Sequence, residues 1–224
     1  MKITKKSILL YVPNLIGYLR ILLGLTPLII NTEYYYISII FYGISQILDA
    51  FDGHFARLLM QETKFGAMLD MITDRCSTVI IIILTITLNR NYTSLIILFL
   101  IGDISGHWLY MISSILSKKS SHKSIKKDMW PILKLYYSNK PLLFTLHTCN
   151  EALWLILYAQ GCIYNKFTNL KQLNQIDQRF MLSTPYALYI ILPLALMKNI
   201  LNFVHLFYGC NILLDIDIRE KTKN

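Results

Sequence analysis

Six apolar runs set the limits on this chain, at about 15–32, 35–57, 67–88, 92–116, 139–161 and 181–214. Each is close to or beyond the ~20 residues a helix needs to cross a bilayer. A spanning segment must satisfy its own backbone polar groups, and a helix does so within one segment. The predicted fold is therefore all-α integral membrane, a six-transmembrane-helix bundle in one domain over 1–224. Composition agrees, with 54% hydrophobic and 16% charged side chains against roughly 25% charged in a soluble domain. No sizeable extramembrane domain fits beside the spans.

The net charge of +9 would raise nucleic acid as a partner for a soluble protein. Here it is read as Lys and Arg facing an anionic cytosolic leaflet, with membrane lipids as the partner and no nucleic acid. The cations divide by position. A basic interfacial lead over 1–14, the turn with Arg57 and Lys64, a basic loop over 117–138 and a tail over 215–224 alternate onto one face. The stretch 117–140 alone carries seven lysines (118, 119, 123, 126, 127, 134, 140) against Asp128. Arg90, Lys166, Lys171 and Arg179 fall on the other face. The positive-inside rule makes the first face cytosolic, with both termini. Asn31–Glu33 and Asn89–Asn91 are expected turns. The lead superficially resembles a signal peptide, but Pro13, Asn14, Gly17 and Arg20 break its apolar region, so it is read as the entry to a retained first span. The four cysteines lie apart without a CxxC pair, against a disulfide framework or a structural zinc site.

One stretch violates the membrane pattern. Leu48–Arg75 holds Asp49, Asp52, Asp70 and Asp74 at helix ends, and carboxylates at membrane depth are costly unless paired or metal-bound. Asp49 and Asp52 (i, i+3) share one helix face, and Asp70 and Asp74 (i, i+4) share another with Gly66. The short segment 58–65 folds the second helix back, so the two pairs converge. Clustered carboxylates repel, and hard divalent cations resolve the repulsion. All-oxygen ligands suit Mg²⁺ or Mn²⁺, and two ions about 4 Å apart would clamp a pyrophosphate. Gly53 and Ala56 lower the helix surface for a ligand, Arg57 offers a planar fork for phosphate oxygens, and Thr63 adds a hydroxyl. The bland reading, capping or interfacial acids, explains one such pair more readily than four acids interleaved with Gly, Ala and Arg.

The pattern Asp49-x-x-Asp52-Gly53-x-x-Ala56-Arg57, eight residues, then Gly66-x-x-x-Asp70-x-x-x-Asp74 resembles the signature of the CDP-alcohol phosphatidyltransferases at every position. The resemblance implies six spans, a cytosol-facing polar active-site cavity, a homodimer, and transfer of a phosphatidyl group from a CDP-linked lipid to an alcohol with release of CMP. It implies Asp49, Asp52, Asp70 and Asp74 as ligands of two metal ions, with Asp74 also the catalytic proton acceptor. Gly53, Arg57 and Thr63 match positions that bind CDP-diacylglycerol. Outside the motif, residues 12–20 (VPNLIGYLR), Thr73–Thr78, His107-Trp108, Tyr136-Tyr137 and Asn150-Glu151 are similar to the eukaryotic, inositol-using branch. That implies myo-inositol as acceptor and the endoplasmic reticulum as location.

Asp103 and His107 (i, i+4), Glu151, Lys198 and His205 are further polar residues inside apolar runs. Asp103, His107 and Lys198 are candidates to line an inositol pocket, against the plainer reading of interhelical hydrogen bonds that fix the bundle. Arg20 is expected to snorkel towards the interface, and Asn14 to lie near the cytidine. Two alternatives stand beside the leading reading: another acceptor in the same family (glycerol 3-phosphate, serine or choline), or a cation transporter with buried carboxylates. The acids cluster at one edge rather than through the membrane, and the helices lack paired midplane breaks, both of which count against a transporter.

Overall fold

The computed structural model describes residues 4–30, 32–120, 129–166 and 173–222, and among them every regular element is a helix. The chain runs α1 (Lys5–Leu9), α2 (Val12–Gly24), α3 (Thr26–Ile29), α4 (Tyr35–Leu58), α5 (Lys64–Leu88), α6 (Thr93–Ser120), α7 (Pro131–Ser138), α8 (Lys140–Lys166) and α9 (Gln175–Lys221). Among the described residues, five stretches are long and apolar enough to cross a membrane: Val12–Ile29, Lys64–Leu88, Arg90–Ser117, Lys140–Lys166 and Gln175–Lys221. The remaining apolar run, expected as a span over 35–57, forms α4, a helix of 24 residues. Asp49, Asp52, Arg57 and its buried serines dilute its apolar character below that of the other five.

Local chemistry accounts for the boundaries. The Thr4 hydroxyl accepts from the Ser7 backbone N–H at 3.1 Å while the Ser7 hydroxyl accepts from Thr4 N–H at 2.9 Å, so the basic lead begins in a capping box. Pro13 and Pro27 sit in the first turns of α2 and α3, where a missing N–H costs nothing. Met60 takes a left-handed φ of 51° after α4, turning the chain towards α5. Thr63 caps α5 by accepting from Gly66 N–H at 2.9 Å.

The basic loop expected over 117–138 contains a further helix. Pro131 opens α7, in which Leu133 and Tyr136, at i and i+3, are buried while Ile132, Leu135 and Tyr137 are exposed. A run of lysines masks this amphipathic turn in the sequence. Lys123, Lys126, Lys127, Lys171 and Asn31 lie outside the described residues.

The chain divides into two compact units. The first comprises 1–90 and 155–177, the second 91–154 and 178–224. In the first, α2 packs against both α4 and α5. Glycines permit the approach: a Cβ on Gly17 would lie 3.0 Å from Leu69 Cδ2, and one on Gly24 only 2.5 Å from Ser77 Oγ. Ser45 on α4 donates to the Arg20 carbonyl at 3.0 Å, pinning α4 to the same stretch of α2. At the other end of α4, the Tyr35 hydroxyl donates to Asp177 Oδ1 at 2.7 Å.

The second unit has apolar clusters around Leu133, Tyr208 and Ile212 and around Tyr136, Leu146 and Leu201. It also contains a buried polar chain. Lys198 Nζ donates to Asn202 Oδ1, and Asn202 Nδ2 donates to Asp103 Oδ1 at 3.0 Å. A separate buried bond runs from Asn199 Nδ2 to Asn150 Oδ1 at 2.8 Å.

Candidate active site

Asp49 and Asp52 stand on the last turns of α4, Asp70 and Asp74 on the second and third turns of α5. The expected convergence of the two pairs is found. One carboxylate oxygen from each of Asp49, Asp70 and Asp74 can be chosen so that all lie within 4.8 Å of one another. Asp52 is the deepest of the four, with a side chain 10% exposed, against 42% for Asp49, 45% for Asp70 and 31% for Asp74. The cluster thus has a closed floor and an open upper side.

Arg20 forms the floor, and its expected snorkelling is corrected here. Its side chain is 1% exposed, and its guanidinium reaches all four carboxylates. Nη1 donates to Asp52 Oδ2 and to Asp70 Oδ1, the latter at 2.7 Å. Nη2 donates to Asp74 Oδ1 and pairs with Asp49 Oδ1 at 2.6 Å. Nε is buried without a hydrogen-bond partner among the described residues. A snorkelling arginine gains hydration at the interface, but four anions within reach offer more than water does, and α2 is already held against both helices that carry them. A charge inventory of the sequence contained the signal. Four acids in one apolar neighbourhood need cations, and Arg20 lies in the preceding span.

Beside the carboxylates lies a cavity of about 200 Å³ lined by Asn14, Gly17, Asp52, Gly53, Arg57, Thr63, Gly66 and Asp70, among others. All three residues matched to CDP-diacylglycerol binding therefore border one space with two of the acids. Gly53 leaves its surface open beneath Arg57, whose Nη1 would sit 3.6 Å from a Cβ there. Arg57 is exposed and makes no ion pair among the described residues, so its donors are available to an anion. Thr63 divides its hydroxyl between the cap of α5 and the cavity wall. Gly66 is needed for space, since a Cβ would lie 2.9 Å from Asn14 Oδ1 and 3.2 Å from Thr63 Oγ1. Asn14 is held by its Nδ2 donating to Ile8 carbonyl at 2.6 Å, leaving Oδ1 to face the cavity side of Gly66. Gln61 joins the site as a residue the sequence did not single out. Its Oε1 accepts from Val12 N–H at 3.0 Å, tying the turn after α4 to the start of α2.

Asp103, His107 and Lys198 come together in the second unit, through Asn202 and through His107 Nδ1, which lies 3.5 Å from Asp103 Oδ1. His107 stacks on His205 at 6.2 Å, and Tyr137 Oη meets His205 Nε2 at 2.9 Å. The cavity lining includes none of them.

The donor set fits a divalent metal. It consists of hard carboxylate oxygens from three residues on two helices, gathered within coordination range and partly open to solvent. A cationic guanidinium lodged among them shows that the position accommodates positive charge.

The family model for CDP-alcohol phosphatidyltransferase matches residues 10–208, and the chain belongs to that family. It is similar to the CDP-diacylglycerol–inositol 3-phosphatidyltransferase of Rattus norvegicus, with 36% identity over 219 residues covering 98% of each chain. The Homo sapiens protein of that name is 34% identical over 97% of this chain and 98% of its own. The Candida albicans protein is 35% identical over 99% and 90% respectively. No solved structure gives a significant match. Nothing in these relatives favours a cation transporter.

Proposed function

We propose that this chain transfers the phosphatidyl group of CDP-diacylglycerol to myo-inositol, giving phosphatidylinositol and CMP. The similarity over nearly the whole length to relatives carrying that activity in their names is the observation that carries the choice of acceptor. The carboxylate cluster beside the cavity supports the chemistry. Asp49, Asp52, Asp70 and Asp74 would hold two Mg²⁺ or Mn²⁺ ions. The chemistry such ions would supply there is neutralisation of the pyrophosphate charge, which would make CMP a better leaving group.

The remaining work falls to side chains. Arg57 and the Thr63 hydroxyl bind phosphate oxygens, and Gly53 lets the nucleotide lie close to the α4 backbone. Asp74 accepts the proton of an inositol hydroxyl as its oxygen attacks the phosphorus on the diacylglycerol side. The new P–O bond to inositol forms as the bond to the CMP oxygen breaks. Asp74 suits this role because its side chain is 31% exposed and Arg20 orients it through Oδ1.

We also read α4 as the sixth span, both termini and the cavity as cytosolic, the protein as a homodimer, and its location as the endoplasmic reticulum. Excess Lys and Arg on one set of connections support the orientation. The test is direct. Purified protein is incubated with CDP-diacylglycerol and a panel of alcohols, and the lipid product is identified. Myo-inositol is expected to support lipid formation and CMP release, and glycerol 3-phosphate and serine are not. A better rate with glycerol 3-phosphate would leave the family and remove the acceptor.

A further inference from the structure

We infer that Arg20 is the internal counter-cation of the carboxylate cluster, occupying by charge the place of a divalent ion and competing with it for the same oxygens. This rests on reading the cluster as a metal site. Four carboxylates converge in a partly buried setting, where every one that ionises adds like charge, and Arg20 is the cation that touches all of them. Without it, like charges this close would force the acids apart or into their protonated forms. A planar guanidinium suits the task. Its two terminal nitrogens each serve two carboxylates, which an ammonium with three compact donors cannot do.

The arrangement is lopsided. Arg20 spends both terminal nitrogens on the acids while its buried Nε has no hydrogen-bond partner among the described residues. Its carbonyl is held by Ser45, which fixes the backbone from which it reaches. The consequence for metal is a sign. A fixed positive charge against the ligand oxygens repels an incoming cation and occupies acceptor lone pairs, so Arg20 weakens divalent binding while it steadies the metal-free protein. A site tuned in this way accepts metal readily only when further negative charge arrives, as it does with a nucleotide diphosphate.

The experiment measures Mn²⁺ affinity by electron paramagnetic resonance, and melting temperature, on the full chain in detergent and free of nucleotide. Arg20→Gln is expected to melt below the wild type without metal, to bind Mn²⁺ at least about tenfold more tightly, and to gain more melting temperature from Mn²⁺. Arg20→Lys keeps the charge but not the fourfold reach, and is expected to fall between the two. A purely structural arginine would lower the melting temperature and leave affinity unchanged or weaker, and that result overturns the inference. If Arg20→Gln does not fold, the equally neutral Arg20→Met takes its place, and unchanged or weaker Mn²⁺ binding there overturns it. Absence of Mn²⁺ binding in the wild type and in every variant would overturn the metal-site reading itself, and the inference with it.

Discussion

Gly24 gives the most direct check on how the first unit positions its site. It lies one turn beyond Arg20 on α2, at i, i+4, and so on the same face. A Cβ there would sit 2.5 Å from Ser77 Oγ, 3.4 Å from Ser77 Cβ and 4.0 Å from Ser45 Oγ. Carbon and oxygen in ordinary contact need about 3.4 Å, so Gly24→Ala leaves a shortfall of roughly 0.9 Å against a buried hydroxyl. The serine can rotate to another staggered well, although one of the three is disfavoured inside a helix. If it stays, α2 must move off α5. The cost expected for such overpacking is about 1–3 kcal/mol. Movement of α2 carries Arg20 with it, and a misplacement approaching 1 Å near reacting groups can cost about 10²-fold in rate.

The assay is a double-mutant cycle. Gly24→Ala, Ser77→Ala and the pair are compared for melting temperature in detergent and for CMP release. Gly24→Ala is expected to lower both, Ser77→Ala to do little, and the double variant to recover most of the loss, because removal of Oγ leaves no contact shorter than 3.4 Å. Additive effects in the double variant would refute the packing argument, since the clash would then lie elsewhere.

Other outcomes follow from the same geometry. Activity should vanish with a chelator and return with Mg²⁺ or Mn²⁺ but not Ca²⁺, whose longer bonds suit a compact site poorly; full turnover in chelator would remove the metal requirement. Asp74→Asn, which keeps an acceptor for Arg20, should lose about 10²–10⁴-fold in turnover yet retain metal-dependent binding of CDP-diacylglycerol. Asp49→Asn should instead weaken that binding, with partial recovery at high Mn²⁺; equal loss in both variants would make Asp74 chiefly a ligand. In the second unit, Asn202→Leu deprives both Lys198 and Asp103 of a buried partner, so a destabilisation of about 1–3 kcal/mol is expected in thermal unfolding. Mn²⁺ affinity unchanged in that variant would agree with a structural role for the chain.

Elements with a strong local signature were legible in the sequence. Apolar runs located the long helices, because in a membrane the backbone leaves few other choices. The four aspartates were legible for a related reason. Their spacing along two helices fixes which face each pair occupies, and a short turn between the helices limits where the pairs can go. Amphipathic α7 was hidden by composition, since a single buried pair at i, i+3 is a weak signal beside a run of lysines. The polar chain through Asp103, Asn202 and Lys198 was visible only in part, as two unusual charges in apolar runs, and sequence separation concealed the asparagine that joins them.

Arg20 shows where reading by periodicity stops. Its own helix says only that a cation occurs in an apolar segment, and taken singly the cheapest fate for such a residue is to reach for water. What reverses that preference is supplied by other helices: two that carry four anions, a serine that fixes the arginine's backbone, and glycines that let the helices close. None of these contributions is local, and each is individually bland. The charge balance, however, is a property of the whole apolar neighbourhood rather than of any contact. Four acids in one neighbourhood with one cation in the adjoining span leave an excess of negative charge. The residual negative charge is the physical reason to expect a cationic ligand there.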